Sequence, residues 1–179
     1  MESFVWNECF VTGLPSVDEQ HQRLVELINR FGDGLMQARD VSPPQLEAVF
    51  SELAEYARLH FHDEEALMAE HTVDPRYQTL HQREHHHFLL EVARMHNSLD
   101  SSDPAAGTRL QQFLVDWLAY HILGSDHDLA RQIEAIDAGT TPDEAYRTRR
   151  RARDPATSTL LLSLDRLFHH VSERNRELM

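Results

Sequence analysis

Apolar positions recur at three- and four-residue intervals along most of the chain, the spacing that places side chains on one face of an α-helix. Val17, His21, Leu24, Ile28, Phe31 and Leu35 follow it first. They stand behind Ser16-Val17-Asp18-Glu19, which reads as a capping box, and the predicted helix runs to about Arg39. Ser42-Pro43-Pro44-Gln45 is a second start, and the stripe Leu46, Val49, Leu53, Ala57, His60, Glu64 and Leu67 carries a helix to about Glu70. Asp74-Pro75 opens a third, with Leu80, His81, His85, Phe88, Val92, Met95 and Leu99 on one face, until the run from Ser101 to Pro104 breaks it. The run from Thr108 to Gln111 reads as the start of a fourth, whose stripe is Leu110, Leu114, Trp117 and His121 and whose end lies near Ile136. Residues 1–15 show no helical period, and Trp6 and Phe10 are expected to pack this arm onto the body.

Four helices of similar length with short connections predict an all-α fold, an up-down-up-down antiparallel four-helix bundle. A different segment follows. Thr141-Pro142-Asp143-Glu144 is a further capping box, and arginines crowd positions 147, 149, 150, 151 and 153. After Asp154-Pro155 a last helix is predicted, carrying Leu160, Leu164, Leu167, Phe168, Val171 and Leu178. The chain thus divides into residues 1–137, a bundle with an N-terminal arm, and residues 138–179, a C-terminal helical connector or extension. The apolar spacing of the last helix suits a short coiled coil and also a helix folded back on the bundle.

Charge sharpens this division. The 179 residues carry a formal net charge of −13, and every basic side chain among the 17 is Arg. Residues 1–137 hold 9 Arg against 24 acids, a net of −15, while residues 138–179 hold 8 Arg against 6 acids, a net of +2. An acidic body lacks the basic footprint that nucleic acid requires. The arginine run is expected to be solvated or to pair with that body. No apolar run is long enough to span a bilayer, so no membrane association is expected. The N-terminus has no signal-peptide pattern. A single cysteine, Cys9, allows no internal disulfide. Together these features predict a cytoplasmic location.

The chemistry lies on the apolar stripes themselves. His21 falls on the first predicted helix and His60 with Glu64 on the second, four residues apart. His81 and His85 fall on the third, also four apart, and His121 on the fourth, with Asp126 five residues later. Imidazoles and carboxylates turned into a core need partners or a metal ion, because burying them alone is costly. Four helices that each turn such groups inward point to one shared site. Imidazole with carboxylate and no thiolate suits Fe, Mn, Zn, Ni or Cu. Five histidines and two carboxylates exceed one tetrahedral zinc site and suit two metals. If both carboxylates bridge, beside a bridging oxygen, one of the twelve positions of two six-coordinate ions stays open for a small ligand. Asp126 is an awkward member, since five residues on an ideal helix turn it about 140° from His121. Gly124-Ser125 could loosen the helix into a π-type bulge, with Asp128 as the fallback.

These residues carry a family likeness. The segments W-N-E-C-F-V-T-G, V-D-E-Q-H-Q-R-L-V-E-L-I-N, H-F-H-D-E-E-A-L-M, H-Q-R-E-H-H-H-F and W-L-A-Y-H-I-L-G-S-D span about residues 6–130. In them the chain resembles the bacterial hemerythrins and, through them, the hemerythrins and myohemerythrins. The resemblance implies a diiron centre with an oxo or hydroxo bridge. One iron would be held by His81, His85 and His121, the other by His21 and His60, with Glu64 and Asp126 bridging. It also implies that O₂ binds at the iron with two histidines and that Phe61, Trp117 and Leu118 line a small apolar pocket over it. The other eight histidines, at 62, 71, 86, 87, 96, 127, 169 and 170, are expected at the surface.

Rival sites fit less well. The ferritin-like carboxylate enzymes need Glu-x-x-His on two helices. Here Glu84-x-x-His87 is the only strict instance, and it falls off the expected core face. The zincin motif His-Glu-x-x-His is absent. No catalytic residue is assigned, and no enzymatic activity is expected. Residues 138–179 resemble connectors that follow hemerythrin domains in bacterial signalling proteins, including those with diguanylate cyclase outputs. The expected function is therefore reversible O₂ binding in an oxygen- or redox-sensing domain. A homodimer partner or an attached output domain would join through residues 156–179. A stand-alone O₂ carrier or store and an NO-responsive or oxidase-type diiron protein are the alternatives.

Overall fold

The computed structural model describes residues 4–36, 43–97 and 105–149. Six α-helices follow one another: α1 (Pro15–Met36), α2 (Pro43–Glu70), α3 (Pro75–Asn97), α4 (Ala106–His121), α5 (His127–Asp137) and α6 (Pro142–Thr148). Helices α4 and α5 are joined without a break by a π turn, Ile122–Asp126, so that 106–137 is one continuous helical rod. Helix α1 packs against α2 and against α4, and α3 bridges α2 and α4, which closes a four-membered bundle around one core.

The expected stripes form that core. Val17, His21, Leu24, Ile28 and Phe31 of α1 are buried, as are Leu53, Ala57 and His60 of α2 and Leu110, Leu114 and Trp117 of α4. Gly32 is the point of closest approach between α1 and α4. A Cβ there would lie 1.8 Å from Nε2 of the buried Gln111, so only hydrogen fits while that side chain keeps its place. Two apolar clusters result. The larger contains Leu27, Phe31, Phe50, Phe61, Phe88, Leu110, Leu114 and Trp117. The smaller contains Met68, Val73, Tyr77, Leu129 and Ile133 at the end where α2 turns into α3.

Several helix starts differ from expectation. Helix α1 begins at Pro15, so Ser16 lies inside it and is not a cap. The work of ordering the approach falls to Asp18, whose Oδ1 accepts from the Thr12 amide and hydroxyl, both at 2.8 Å, and whose Oδ2 accepts from Gly13 N at 3.1 Å. Helix α4 begins before Thr108, with Ala105 at the cap position and no side-chain capping bond. By contrast Asp74 does start α3, accepting from Arg76 N at 2.9 Å, and Thr141 caps α6 through the amide of Glu144 at 3.3 Å. Gly139, at φ 95°, ends α5 in the left-handed conformation that favours glycine and turns the chain back into α6. The Ser42 start, the Ser101–Pro104 break and the predicted last helix lie outside the described residues.

The N-terminal arm is tied down as expected. Phe10 is buried, with the rings of Phe4 and Trp6 at 5.1 and 5.7 Å, and Asn29 of α1 brackets Phe4 with two bonds to its backbone. Among the described residues no helix is long and apolar enough to cross a membrane.

Phe31 is fully buried, with its ring 6.0 Å from that of Phe50. Phe31→Ala should therefore cost about 3–5 kcal/mol of stability, measured as a fall in the urea midpoint of the metal-free protein at unchanged m-value.

Candidate metal centre

The two apolar clusters are separated by a polar one. His21 on α1, His60 and Glu64 on α2, His81 and His85 on α3, His121 at the end of α4 and Asp126 at the end of the π turn are each at most 2% exposed. All seven residues singled out from the sequence meet in one place. Two subsets have ligand atoms within 4.8 Å of one another: Glu64 with His81, His85 and His121, and Glu64 with His21 and His60. Glu64 belongs to both. Its Oε2 lies 3.1 Å from His85 Nε2, 3.3 Å from His81 Nε2 and 3.7 Å from His60 Nε2, while Oε1 is 4.0 Å from His21 Nε2. Asp126 divides its oxygens in the same sense. Its Oδ1 is 3.1 Å from His121 Nε2 and 3.5 Å from His81 Nε2, and Oδ2 is 3.1 Å from His21 Nε2.

Asp126 reaches this position because the helix changes pitch. In an α-helix it would point away from His121's face. The π turn from Ile122 to Asp126 adds one residue to a single turn and brings the two side chains together. The fallback Asp128 is not needed. It is buried elsewhere and pairs with Arg131.

Three of the outward ring nitrogens are held by acceptors, and those of His21 and His121 make no hydrogen bond. His60 Nδ1 is 3.0 Å from Gln20 Oε1, whose amide nitrogen donates to Asp63 at 2.7 Å. His85 Nδ1 is 3.2 Å from Glu65 Oε1, and His121 Nδ1 faces Glu84 Oε2 at 3.4 Å. His81 Nδ1 lies 3.2 Å from the Tyr77 hydroxyl. Each arrangement turns Nε2 inward with its lone pair available to a metal. These outer partners were not singled out from the sequence, although Tyr77 stands four residues before His81 and so on the same face. Glu84 corrects the sequence reading. It is half-buried at the edge of the site, whereas its motif partner His87 is exposed.

Whether the site suits a metal is decided by its orphaned atoms. Nε2 of His21 and of His60, Oε1 of Glu64 and both oxygens of Asp126 are buried and make no hydrogen bond. They nevertheless lie 3.1–4.0 Å from partners of opposite character. They aim at the space between them rather than at each other, as ligands of a common cation do. His85 Nε2 and His121 Nε2 face each other at 3.1 Å. Without an ion between them, at least one must carry a proton.

Electrostatics assign that proton to His121. Burial disfavours its charge, but Asp126 and Glu84 outweigh burial and raise its pKa to about 10. Burial pushes His60 down to about 4 and lowers His85, so both stay neutral. Burial alone would protonate Glu64 and Asp126, yet the surrounding imidazoles hold both well below the carboxylate range. Burial likewise opposes the charge of Glu84, but His121 and Ser125 bring it down to about 2. Burial lifts Tyr77 well above the usual phenol, so it remains a hydrogen donor. The pocket therefore offers two carboxylates, the neutral imidazoles of His60 and His85, and on His121 one proton that a metal can replace.

Of the residues expected over the two-histidine iron, Phe61 and Trp117 stack instead on rings of the three-histidine group. The Phe61 ring stacks on His85 at 4.0 Å and 11°, and Trp117 stacks on His121 at 4.4 Å and 13°. Phe61 and Trp117 meet edge to face at 5.7 Å, and Leu118 is buried in the same apolar cluster. Of the remaining histidines, 62, 86 and 87 are exposed. His71, His96 and His127 are half-buried and paired, with Asp137, Glu47 and the Cys9 carbonyl respectively. Positions 169 and 170 lie outside the described residues.

Adding Co²⁺ to the metal-free protein near pH 7.5 should release about one proton per chain, because His121 must give up its proton to bind. The check is calorimetry in buffers of different ionisation enthalpy, and a buffer-independent heat would contradict it.

The family model for the hemerythrin HHE cation-binding domain matches residues 12–133. A bacteriohemerythrin of Clostridium acetobutylicum is 28% identical over 127 residues, covering 70% of this chain and 97% of that protein. One from Pseudomonas aeruginosa is 29% identical over 126 residues, 70% of this chain and 78% of that protein. A hemerythrin-like protein of Naegleria gruberi is 30% identical over 123 residues, 69% of this chain and 87% of that protein.

Proposed function

This chain belongs to the hemerythrin HHE cation-binding family, and from that premise we propose that it holds two iron ions, binds O₂ reversibly and serves as the oxygen- or redox-sensing part of a bacterial signalling protein. The observation that carries the metal reading is the sharing of two buried carboxylates between two histidine groups. His81, His85 and His121 would hold one iron and His21 with His60 the other. Glu64 and Asp126 would serve both: Asp126 turns one oxygen to either side, and Glu64 turns Oε2 toward His81, His85 and His60 and Oε1 toward His21. A ferrous pair supplies the electrons with which such a centre holds O₂. The protein's own contribution is geometry and dryness. Gln20, Glu65, Tyr77 and Glu84 fix the imidazole rings. Phe61, whose ring stacks on His85 and lies 5.6 Å from that of His60, would with Trp117 and Leu118 form the apolar wall that keeps water from the centre.

The sensing reading is supported by what covers the end of the bundle. Helix α6 lies beyond the residues matched by the family model. Its Tyr146 is sandwiched between Arg76 at 4.3 Å and Arg149 at 3.8 Å. Arg149 also reaches over the ring of Tyr77 at 5.8 Å, and Arg131 of α5 donates to its carbonyl at 3.2 Å. The chain leaving the bundle therefore rests on a tyrosine that itself touches His81. A carrier needs no such contact.

Reconstitution of the reduced protein should give two irons per chain and an O₂-dependent visible band that disappears when O₂ is removed. Fewer than two irons, or no such band, rejects the function. Hydrogen exchange should differ at residues 142–149 between the reduced and O₂-bound forms. Equal protection there assigns the carrier role instead.

A further inference from the structure

The π turn that brings Asp126 into the site has no obvious reason to persist by itself. Its i→i+5 bonds are weaker local structure than the α-helix on either side, and single π turns survive where something outside the helix holds them. Ser125, the residue before Asp126, is gripped from α3 at two points. Its carbonyl accepts from the Tyr77 hydroxyl, and its own hydroxyl donates to Glu84 Oε2 at 2.5 Å. Tyr77 and Glu84 are seven residues apart, two helical turns, and so lie along one face of α3 with the histidine between them.

Each of these two residues also faces a histidine of the site. A phenol has a single proton, and a carbonyl can only accept. Tyr77 therefore spends its proton on Ser125, and at its oxygen it can only accept from His81 Nδ1, 3.2 Å away. That relay leaves the lone pair of His81 on Nε2, facing Glu64 and Asp126. Glu84 accepts from the Ser125 hydroxyl at 2.5 Å and faces His121 Nδ1 at 3.4 Å. Through Ser125, the placement of Asp126 is thus tied to the ring orientation of His81 and His121.

We propose that Tyr77 and Glu84 are positioning residues that clamp Ser125, hold the π turn and so place Asp126 where one carboxylate serves both halves of the metal site. Neither touches the metal position, since each acts through Ser125 or an imidazole. The inference rests on the reading of the seven residues as a two-metal site.

The test is a Co²⁺ titration of the metal-free full-length chain, wild type against Tyr77→Phe, Glu84→Gln, Ser125→Ala and Ser125→Thr. Tyr77→Phe keeps the buried ring and removes only the relay. Ser125→Ala removes the bond to Glu84 and keeps the carbonyl, and Ser125→Thr restores the hydroxyl. Circular dichroism of the metal-free variants should keep its helical signal. Tyr77→Phe and Ser125→Ala should weaken Co²⁺ binding about 10–100-fold and alter the cobalt absorption bands. Ser125→Thr should recover the wild-type bands, which a general loss of stability would not do. Wild-type affinity and wild-type cobalt bands in Tyr77→Phe and Ser125→Ala overturn the clamp. A wild-type chain that takes up no pair of Co²⁺ ions overturns the two-metal reading, and the clamp with it. Should Tyr77→Phe lose its helical signal, the Ser125 pair decides alone, because that side chain is only half-buried and its substitution opens no large void.

Discussion

Seven ionisable side chains share a space from which water is excluded, and the rest of the molecule answers to that. Left unpaired, any one of them would cost several kcal/mol, a large part of what a domain this size has to spare. Four helices each supply at least one of the seven, so no helix can shift without moving a member of the set. The apolar clusters on either side are what make the space dry. Phe61 and Trp117 of the larger cluster stack on His85 and His121, and Tyr77 of the smaller lies against His81. Bundle and site are therefore not separable. The same stripe that drives helix association is interrupted, on all four helices, by groups that a shared cation would reconcile.

The π turn shows how this demand overrides regular structure. His121 and Asp126 are five apart, a spacing no α-helix puts on one face. A shift of the whole rod would carry Leu129 and Ile133 out of their cluster, whereas one extra residue in one turn corrects the phase locally. The turn contains Gly124 and Ser125, small residues that let the backbone lie close to α3. The cost of its poorer hydrogen bonding is offset by bonds from α3 to Ser125.

Much of this was legible in the sequence because it is periodic. The four stripes and six of the seven converging residues follow from i, i+3 and i+4 spacing, and the arm was marked by two large aromatics in a stretch without that period. The likeness to the hemerythrins came through the same residues. Even the irregularity at Asp126 announced itself as a misfit of phase. The starts of α1 and α4 did not read correctly, because Ser16 and Thr108 have capping chemistry but lie inside helices set by packing and by Pro15. The outer partners were hidden for a different reason. Gln20, Glu65 and Glu84 stand beside the apolar stripe and look like solvated surface. Only the angle at which neighbouring helices meet decides that they face an imidazole. Residue periodicity says which side of a helix is inward and nothing about what lies one position off that side.

The braces are unevenly shared between the two halves of the site. On the three-histidine side His81 and His85 have outward hydrogen-bond partners, Tyr77 and Glu65, whereas Nδ1 of His121 faces Glu84 at 3.4 Å without a hydrogen bond. On the two-histidine side Gln20 steadies His60, but Nδ1 of His21 makes no hydrogen bond, and the ring is oriented by the neighbouring rings of His60 at 4.8 Å and Trp6 at 6.2 Å. A fully braced imidazole resists displacement, whereas one held only by packing tolerates a change in the distance to its metal. A site that must gain and lose a small ligand has to let one metal alter its surroundings while the other stays fixed. The outer bonding leaves His21 oriented by packing alone, and leaves His81 and His85 on α3 as the more firmly held wall of the site.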